Sequence, residues 1–408
     1  MRDRNWKFHL TIALAGMAAL NIAVFWKFRD RVAKGYGDFA MFYTAGRILA
    51  NGQGRRLYDA DLQLREQREF APAVEGRETP LPFNHPPFEG LLFVGLARLP
   101  YFTAYGIWTA INLGILLSLP RLLRPCVELL REGSVGVWLP AMLAYFPLGL
   151  ALLQGQDTVL LLLLLVLAYR ALQRNADLQA GCWLALGLFR PQIVLPLVLL
   201  VALQRGWRLV SGFAAVGAGL GLVSVMMVGW RAVLQYPEFV RQAELGLVDP
   251  AAVLRMPNLH GLLATVGPSL GASDCWINGL TAVVSIVLIG VITRLWSSGR
   301  ASVFDLGFSM VLVTAVLVSY HAFDYDLTLL LLPMALVADF VFRGGERRSG
   351  LSLALLLPIA LLLFSPLHFL LGVYETRTSL LALVLIGWLA PLAREVTSTP
   401  EAMPPTGE

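Results

Sequence analysis

The sequence predicts an all-α polytopic membrane protein, on two observations. Hydrophobic residues fill 57% of its 408 positions and charged residues only 14%, where an ordinary soluble chain has about 25% charged residues. The apolar residues also come in long runs with the basic residues in short loops between them, as where Lys and Arg mark the cytoplasmic ends of membrane spans. The same scatter argues against nucleic acid as a partner: 32 Lys and Arg against 27 Asp and Glu leave a net charge of +5 but no basic patch. The expected surroundings are membrane lipids. Cys126, Cys182 and Cys275 have no metal-ligand spacing, and an odd number of cysteines cannot form a closed disulfide set.

Arg2, Arg4 and Lys7 precede the first apolar run, residues 10–28, which predicts a cytoplasmic N-terminus. The run lacks a small-x-small cleavage site before Lys27, so it reads as an uncleaved span. Residues 29–87 form a large first external, periplasmic loop. Its segment DADLQLREQREF, with apolar residues at Leu62, Leu64 and Phe70, predicts short juxtamembrane helices lying on the membrane surface. Pro86 and Pro87 open the apolar stretch 88–99 and Pro100 closes it. A crossing takes about 20 apolar residues, so this piece is expected as a juxtamembrane or re-entrant helix. Residues 101–123 then run inward to Arg121, Arg124 and Arg131.

Further spans are expected at 136–153, 158–172, 178–190, 191–204 and 208–228, then a second external loop over 229–275. After it come 276–296, 303–320, 326–342, 351–371 and 379–393, which makes about 12 transmembrane helices with both termini cytoplasmic. Arg170, Arg174, Arg205, Arg208, Arg294, Arg300, Arg343, Arg347, Arg348 and Arg394 all fall inside. Residues 1–395 read as one integral-membrane domain and 396–408 as a Pro-rich, disordered cytoplasmic tail. The chain shows no internal repeat of the kind seen in inverted-repeat transporters.

Under this topology the polar residues that interrupt apolar sequence share one membrane face. They are Asp38; Asn84 and His85; Gln154, Gln156 and Asp157; Arg190 and Gln192; Asn258 and His260; and Tyr320, His321, Asp324, Tyr325 and Asp326. Each also has an ordinary reading. Asp38 and the Gln156–Asp157 turn could cap helices, Arg190 could be a snorkelling side chain, and His85, His260 and His321 could sit at the interface without a role. Those readings leave the shared side unexplained. A buried or near-membrane acid costs roughly 2.5–3.5 kcal/mol in lipid, so Asp38 faces either a wet cavity or chemistry.

The set suits transfer of a group from a lipid phosphate to a hydroxyl. That reaction needs a carboxylate to take the acceptor's proton, and cations or hydrogen-bond donors to stabilise the departing phosphate. Asp38 can supply the first; Arg190 with His321 or Tyr325 the second. Phosphate leaves well unaided, so the paired carboxylates of glycoside hydrolysis are not required. Asp38 with Asp324 or Asp326 could hold a metal, but no spacing demands one, and no nucleotide-binding glycine loop is present. No cofactor is required.

In chain order these residues resemble the polyprenyl-phosphate-sugar-dependent glycosyltransferases of the GT-C superfamily, specifically family 87, typified by bacterial polyprenyl-phosphate-mannose α-mannosyltransferases. The likeness rests first on Asp38, Phe39, Phe42, Tyr43, Ala45, Gly46, Gly52, Leu57, Tyr58 and Asp59. It continues through Pro86, Pro87, Trp108, Asn112, Gly155, Gln156, Arg190, Pro191 and Gln192 to Asn258 and Tyr325, Asp326 and Leu327. It implies a GT-C fold in the bacterial inner membrane with its active site facing the periplasm. It also implies an aspartate base, by position Asp38, and inversion at the sugar. Donor phosphate would meet Arg190, His321 and Tyr325; Tyr43, Asp59, His85, Gln156, Gln192, Asn258, His260, Asp324 and Asp326 would bind or position substrate. The expected partners are a polyprenyl-phosphate hexose, mannose in the branch named, and a lipid or glycan acceptor. Two positions depart from the family: Arg190 stands where Lys is common, and Ser319-Tyr320-His321 where the mannosyltransferase branch often has Ser-Pro. A transporter or lipid flippase is the competing reading, and a non-catalytic lipid-binding subunit a third. A transporter would carry its polar residues near the bilayer midplane, open to both sides.

Overall fold

The computed structural model describes residues 2–74, 78–132, 135–243, 250–297, 303–343, 349–370 and 380–398, and these contain helices and no strands. Five helices are long and apolar enough to cross a membrane: Phe8–Ala33, Tyr101–Leu123, Trp207–Val228, Asp274–Ser297 and Asp324–Arg343. Thr158–Gln173, Pro191–Arg205, Phe304–Val318 and Leu351–Leu363 are shorter apolar helices. In the first, third and fourth long helices only 17% of the most apolar stretch is covered by protein. Helices apolar on every side and bare of protein cover need a lipid solvent. By contrast Phe304–Val318 is buried continuously from Leu306 to Val318, and the core of the bundle forms around it.

Several expected spans are interrupted. Residues 136–153 divide into Val135–Ala144 and Phe146–Gln154, because Tyr145 leaves helical geometry ahead of Pro147. The segment expected over 178–190 is helical only at Asp177–Leu186, about 15 Å of rise. The stretch 88–99 is irregular, with Pro87–Gly90 and Leu96–Arg98 wound as 3-10 turns around one α turn, Leu91–Val94. The tail from residue 399 onward lies outside the described residues, whereas 396 and 397 continue the helix Leu381–Thr397.

The bundle has two chemically distinct ends. Thr158–Gln173 starts beside Asp157 and ends with Tyr169 donating to Asp305 Oδ1 at 2.6 Å. Pro191–Arg205 starts at Arg190, and its Arg205 donates to Asn175 Oδ1 at 2.9 Å. Arg343 lies 2.5 Å from Asp339 and 3.5 Å from Asp305, and Asp339 accepts from Leu129 N at 2.7 Å. The basic loops therefore collect at one end and the interrupting polar clusters at the other.

The helices of the first loop pack closely against protein. Phe39–Ala50 is buried almost throughout, in an aromatic core with Phe93, Tyr101, Tyr105 and Trp108. Ala60–Phe70 buries polar Gln63, Glu66 and Gln67 alongside Leu62. Gln63 donates to Leu57 O and accepts from Phe83 N, and Gln67 both donates to and accepts from Leu81, all at 2.8–2.9 Å. Two side-chain amides thus satisfy an extended segment that has no sheet partner, and that segment leads directly into Asn84 and His85.

Asp177–Leu186 and Trp207–Val228 approach through glycines. A Cβ at Gly181 would lie 2.0 Å from Leu209 O, and one at Gly212 would lie 2.1 Å from Leu178 O. Small residues allow such backbone approach between membrane helices. Gly181→Val is expected to cost about 1–3 kcal/mol by overpacking, read as a lower unfolding midpoint of the purified protein. Gly219→Val in the partner helix Trp207–Val228, where a Cβ meets nothing within 4 Å, should leave the midpoint unchanged; equal midpoints for both would refute the close packing.

Candidate active site

Helix capping separates the sequence candidates into two groups. Asp59 caps Ala60–Phe70 by accepting from Leu62 N at 3.1 Å, and Asn258 caps Leu259–Val266 by accepting from Gly261 N at 2.8 Å. Asp38 and Asp157 occupy the same position on Phe39–Ala50 and Thr158–Gln173, yet neither side chain caps its helix. Their carboxylates point into a different network.

Asp38 Oδ2 accepts from Gln156 Nε2 at 2.6 Å, and Asp38 N donates to Gln154 Oε1 at 3.2 Å. Gln156 Oε1 in turn accepts a short hydrogen bond from Arg190 Nη2. Arg190 Nε and Nη2 both donate to Asp157 Oδ1, at 2.8 and 2.5 Å, and Nη1 lies 3.3 Å from Asp326 Oδ1. Its guanidinium also sits 5.5 Å from the Tyr325 ring centre. With 2% exposure, Arg190 does not snorkel; it is a buried cation shared between two carboxylates.

Local sequence explains the placement. Gly155 takes φ +68°, ending Phe146–Gln154 in the left-handed region, and a Cβ there would lie 2.7 Å from Phe39 Cβ. Glycine is therefore required for both conformation and clearance. Trp108 Nε1 donates to Gly155 O at 3.0 Å, fixing the turn that carries Gln154, Gln156 and Asp157. Arg190 adopts φ −119°, ψ 64° immediately before Pro191, whose ring disfavours helical geometry in the preceding residue.

These groups border a cavity of about 820 Å³, ample for a small-molecule ligand. Asp38, Asn84, His85, Gln154, Arg190, Gln192, His321, Asp324 and Tyr325 line it, joined by Tyr236, Arg241 and Arg255 from the second loop. Gln156 and Asp326 lie behind the wall, holding Asp38 and Arg190. The remaining candidates do not line it. Tyr43 donates to Leu99 O at 2.6 Å inside the aromatic core. Asp59 pairs with Arg56 at 2.5 Å besides capping its helix. Asn258 bridges its own turn to Ser319 O at 2.8 Å. His260 stacks on Tyr320, ring centres 4.3 Å apart, and so touches the site through a lining residue.

Electrostatics distinguish the two titratable groups in the first loop. Burial raises the Asp38 carboxyl above the ordinary aspartate range, while the Gln156 hydrogen bond and the charges of Arg190 and Arg255 oppose that rise. Burial, then the Arg190 charge, lowers His85 to about 3, so its imidazole is neutral. The sequence reading missed Glu89, which is fully buried beside His85, and Arg255, an exposed cation on the cavity wall. Glu89 had a visible signal as an acid inside an apolar run; Arg255 had none.

The described residues make an all-helical membrane protein with a largely apolar cavity at one end of its bundle, into which charged and amide side chains are set. The sequence model of glycosyltransferase family 87 matches residues 83–319, more than half of the chain, and the chain belongs to that family. It is therefore a glycosyltransferase, with a sugar donor and an acceptor, which counts against the transporter reading. The match begins after Asp38 and ends before Tyr325. No curated protein and no solved structure matches the chain.

Removing Arg190 would leave Asp157 and Asp326 buried without a counter-charge. Breaking such a pair costs about 3–5 kcal/mol, so Arg190→Met should lower the unfolding midpoint sharply. Arg190→Lys, which keeps the charge but not the planar fork, should lose less. A midpoint unaffected by Arg190→Met would mean that the network does not hold the fold.

Proposed function

We propose that the protein is an inverting transferase that moves a hexose, mannose in the first instance, from polyprenyl phosphate to a hydroxyl of a lipid or glycan acceptor. In this reading the Asp38 carboxylate takes the hydroxyl proton as the acceptor oxygen attacks the anomeric carbon. The bond from that carbon to the phosphate oxygen breaks, and its electron pair leaves with polyprenyl phosphate. Attack opposite the departing phosphate inverts the centre. The observation that carries the assignment is that Asp38 stands at a helix N-terminus, declines to cap it, and instead lines a cavity with its carboxylate held by Gln156.

Phosphate stabilisation divides between two arginines. Arg190 has most of its donors engaged by Asp157, Gln156 and Asp326 and lends charge from the wall. Arg255 is exposed on that wall and meets the phosphate with His321 and Tyr325. We read the shorter and interrupted helices as completing about 12 crossings, with the cavity on the periplasmic side of a bacterial inner membrane. The collection of basic loops at the opposite end supports that orientation.

Asp38→Asn removes the base and keeps the shape. With the purified protein in lipid, a radiolabelled polyprenyl-phosphate hexose and candidate acceptors, transfer should fall by about 10²–10⁴-fold while donor binding persists. Because burial raises the Asp38 carboxyl and only its ionised form accepts a proton, the acid limb of the wild-type rate profile should lie above the ordinary aspartate value of 3.8. Undiminished transfer by Asp38→Asn refutes the mechanism.

Arg255→Ala should raise the apparent donor KM by about 10–100-fold, the range for a lost hydrogen bond to a charged group. Arg255→Lys should recover part of it. An unchanged KM would move phosphate recognition elsewhere in the cavity.

A further inference from the structure

At the cavity wall, which His85 lines, a second cluster runs back into the protein and takes no bond-making part in the transfer. His85 Nδ1 stands 2.7 Å from Glu89 Oε2 and 3.7 Å from Asp157 Oδ2. One ligand-type atom from each residue falls within 4.8 Å of the other two. Glu89 and Asp157 are 0% exposed and His85 7%. His85 Nδ1, both Glu89 oxygens and Asp157 Oδ2 are shut off from water and have no hydrogen-bond partner beyond one another. Buried polar atoms are ordinarily satisfied, and four together in one place call for an unseen partner.

The cluster sets two carboxyl groups around one imidazole, with no ammonium or guanidinium of its own. Asp157 and Asp326 share the single guanidinium of Arg190, and the second oxygen of Asp157 is turned away from it toward His85. Glu89 adds another carboxyl with no basic residue against it among the ion pairs of the described residues other than the imidazole of His85. A cation placed between these atoms would satisfy every orphan at once.

We propose that His85, Glu89 and Asp157 bind a divalent metal ion of the zinc or manganese type. One imidazole nitrogen with two carboxylates is a donor set for these ions, more than for magnesium or calcium, which take oxygen alone. Ligands of a tetrahedral zinc with bonds near 2.0–2.1 Å stand about 3.3 Å apart, a value between the two separations from His85. Pro86 and Pro87 stiffen the chain between His85 and Glu89, so the two ligands arrive preset on one turn. The ion would tie the first loop to the Gln156–Asp157 turn. Asp157 would then bridge the metal through one oxygen and Arg190 through the other, placing the ion one residue from the Gln156 that holds Asp38. Its function is to fix and neutralise the wall, so it enters no bond-making step.

The test is a metal count that does not depend on transfer. Tag-free protein in lipid nanodiscs is stripped with chelator, incubated with Zn²⁺ or Mn²⁺, dialysed, and analysed by inductively coupled plasma mass spectrometry. Wild type should retain about one equivalent and gain a higher unfolding midpoint; Glu89→Gln and His85→Asn should lose both. X-ray absorption on the loaded wild type needs no variant and should show a nitrogen and oxygen shell without sulfur. Metal retention by wild type no greater than by the two variants, or a sulfur-containing shell, overturns the proposal and leaves a shared proton as the occupant of the triad.

Discussion

A guanidinium withdrawn from water costs several kcal/mol unless its donors find partners, and Arg190, 2% exposed, finds them in Asp157, Gln156 and Asp326. Arg190 and these partners come from three separate parts of the chain: the start of Pro191–Arg205, the turn after Phe146–Gln154, and the start of the Asp324–Leu330 turns. The pair therefore fixes the relative height of three bundle elements. Ridge-to-groove packing of Leu and Val tolerates sliding far more readily than a forked hydrogen bond does. The aliphatic core around Phe304–Val318 supplies cohesion, whereas Arg190 supplies register at the end where register matters.

The first loop reaches this framework by an unusual route. Its helix Ala60–Phe70 turns glutamines inward, and Gln63 and Gln67 take the place of a neighbouring strand for residues 81–83. An extended chain anchored by side-chain amides can be laid over a membrane-facing bundle without a sheet edge to protect. It delivers Asn84 and His85 to the cavity and, through the two prolines, Glu89 to the interior. The aromatic cluster about Phe39 and Phe93 provides the apolar floor on which this loop rests.

Much of this was legible in the sequence because membrane physics writes it plainly. Long apolar runs and basic loops announced the helices, and charged or amide residues that interrupt such runs announced the site. Arg190 before Pro191 and the Gln156–Asp157 turn were visible for that reason. Capping could not be judged from sequence: Asp38, Asp59, Asp157 and Asn258 all precede helices, and only the direction of the side chain separates the two that cap from the two that do not. Nor could the inward polar face of Ala60–Phe70, since its period fits a membrane-surface helix equally well until its partners are known. Arg255 lies 168 residues or more along the chain from any part of the first loop that it faces in space, and no local pattern encodes such a meeting.

The amide between Asp38 and Arg190 has a chemical consequence. A carboxylate paired directly with arginine has its pKa lowered by about 1–3 units, which stabilises the charge and weakens it as a proton acceptor. Here Gln156 receives from Arg190 and donates to Asp38, so orientation passes along the chain while full ion pairing does not. Burial then prevails and raises the Asp38 carboxyl, moving it toward the range in which a carboxylate abstracts a proton effectively. Glutamine suits that relay because its amide offers an acceptor and a donor at once. A carboxylate there would bind Arg190 but repel Asp38, and an aliphatic residue would leave both unsupported.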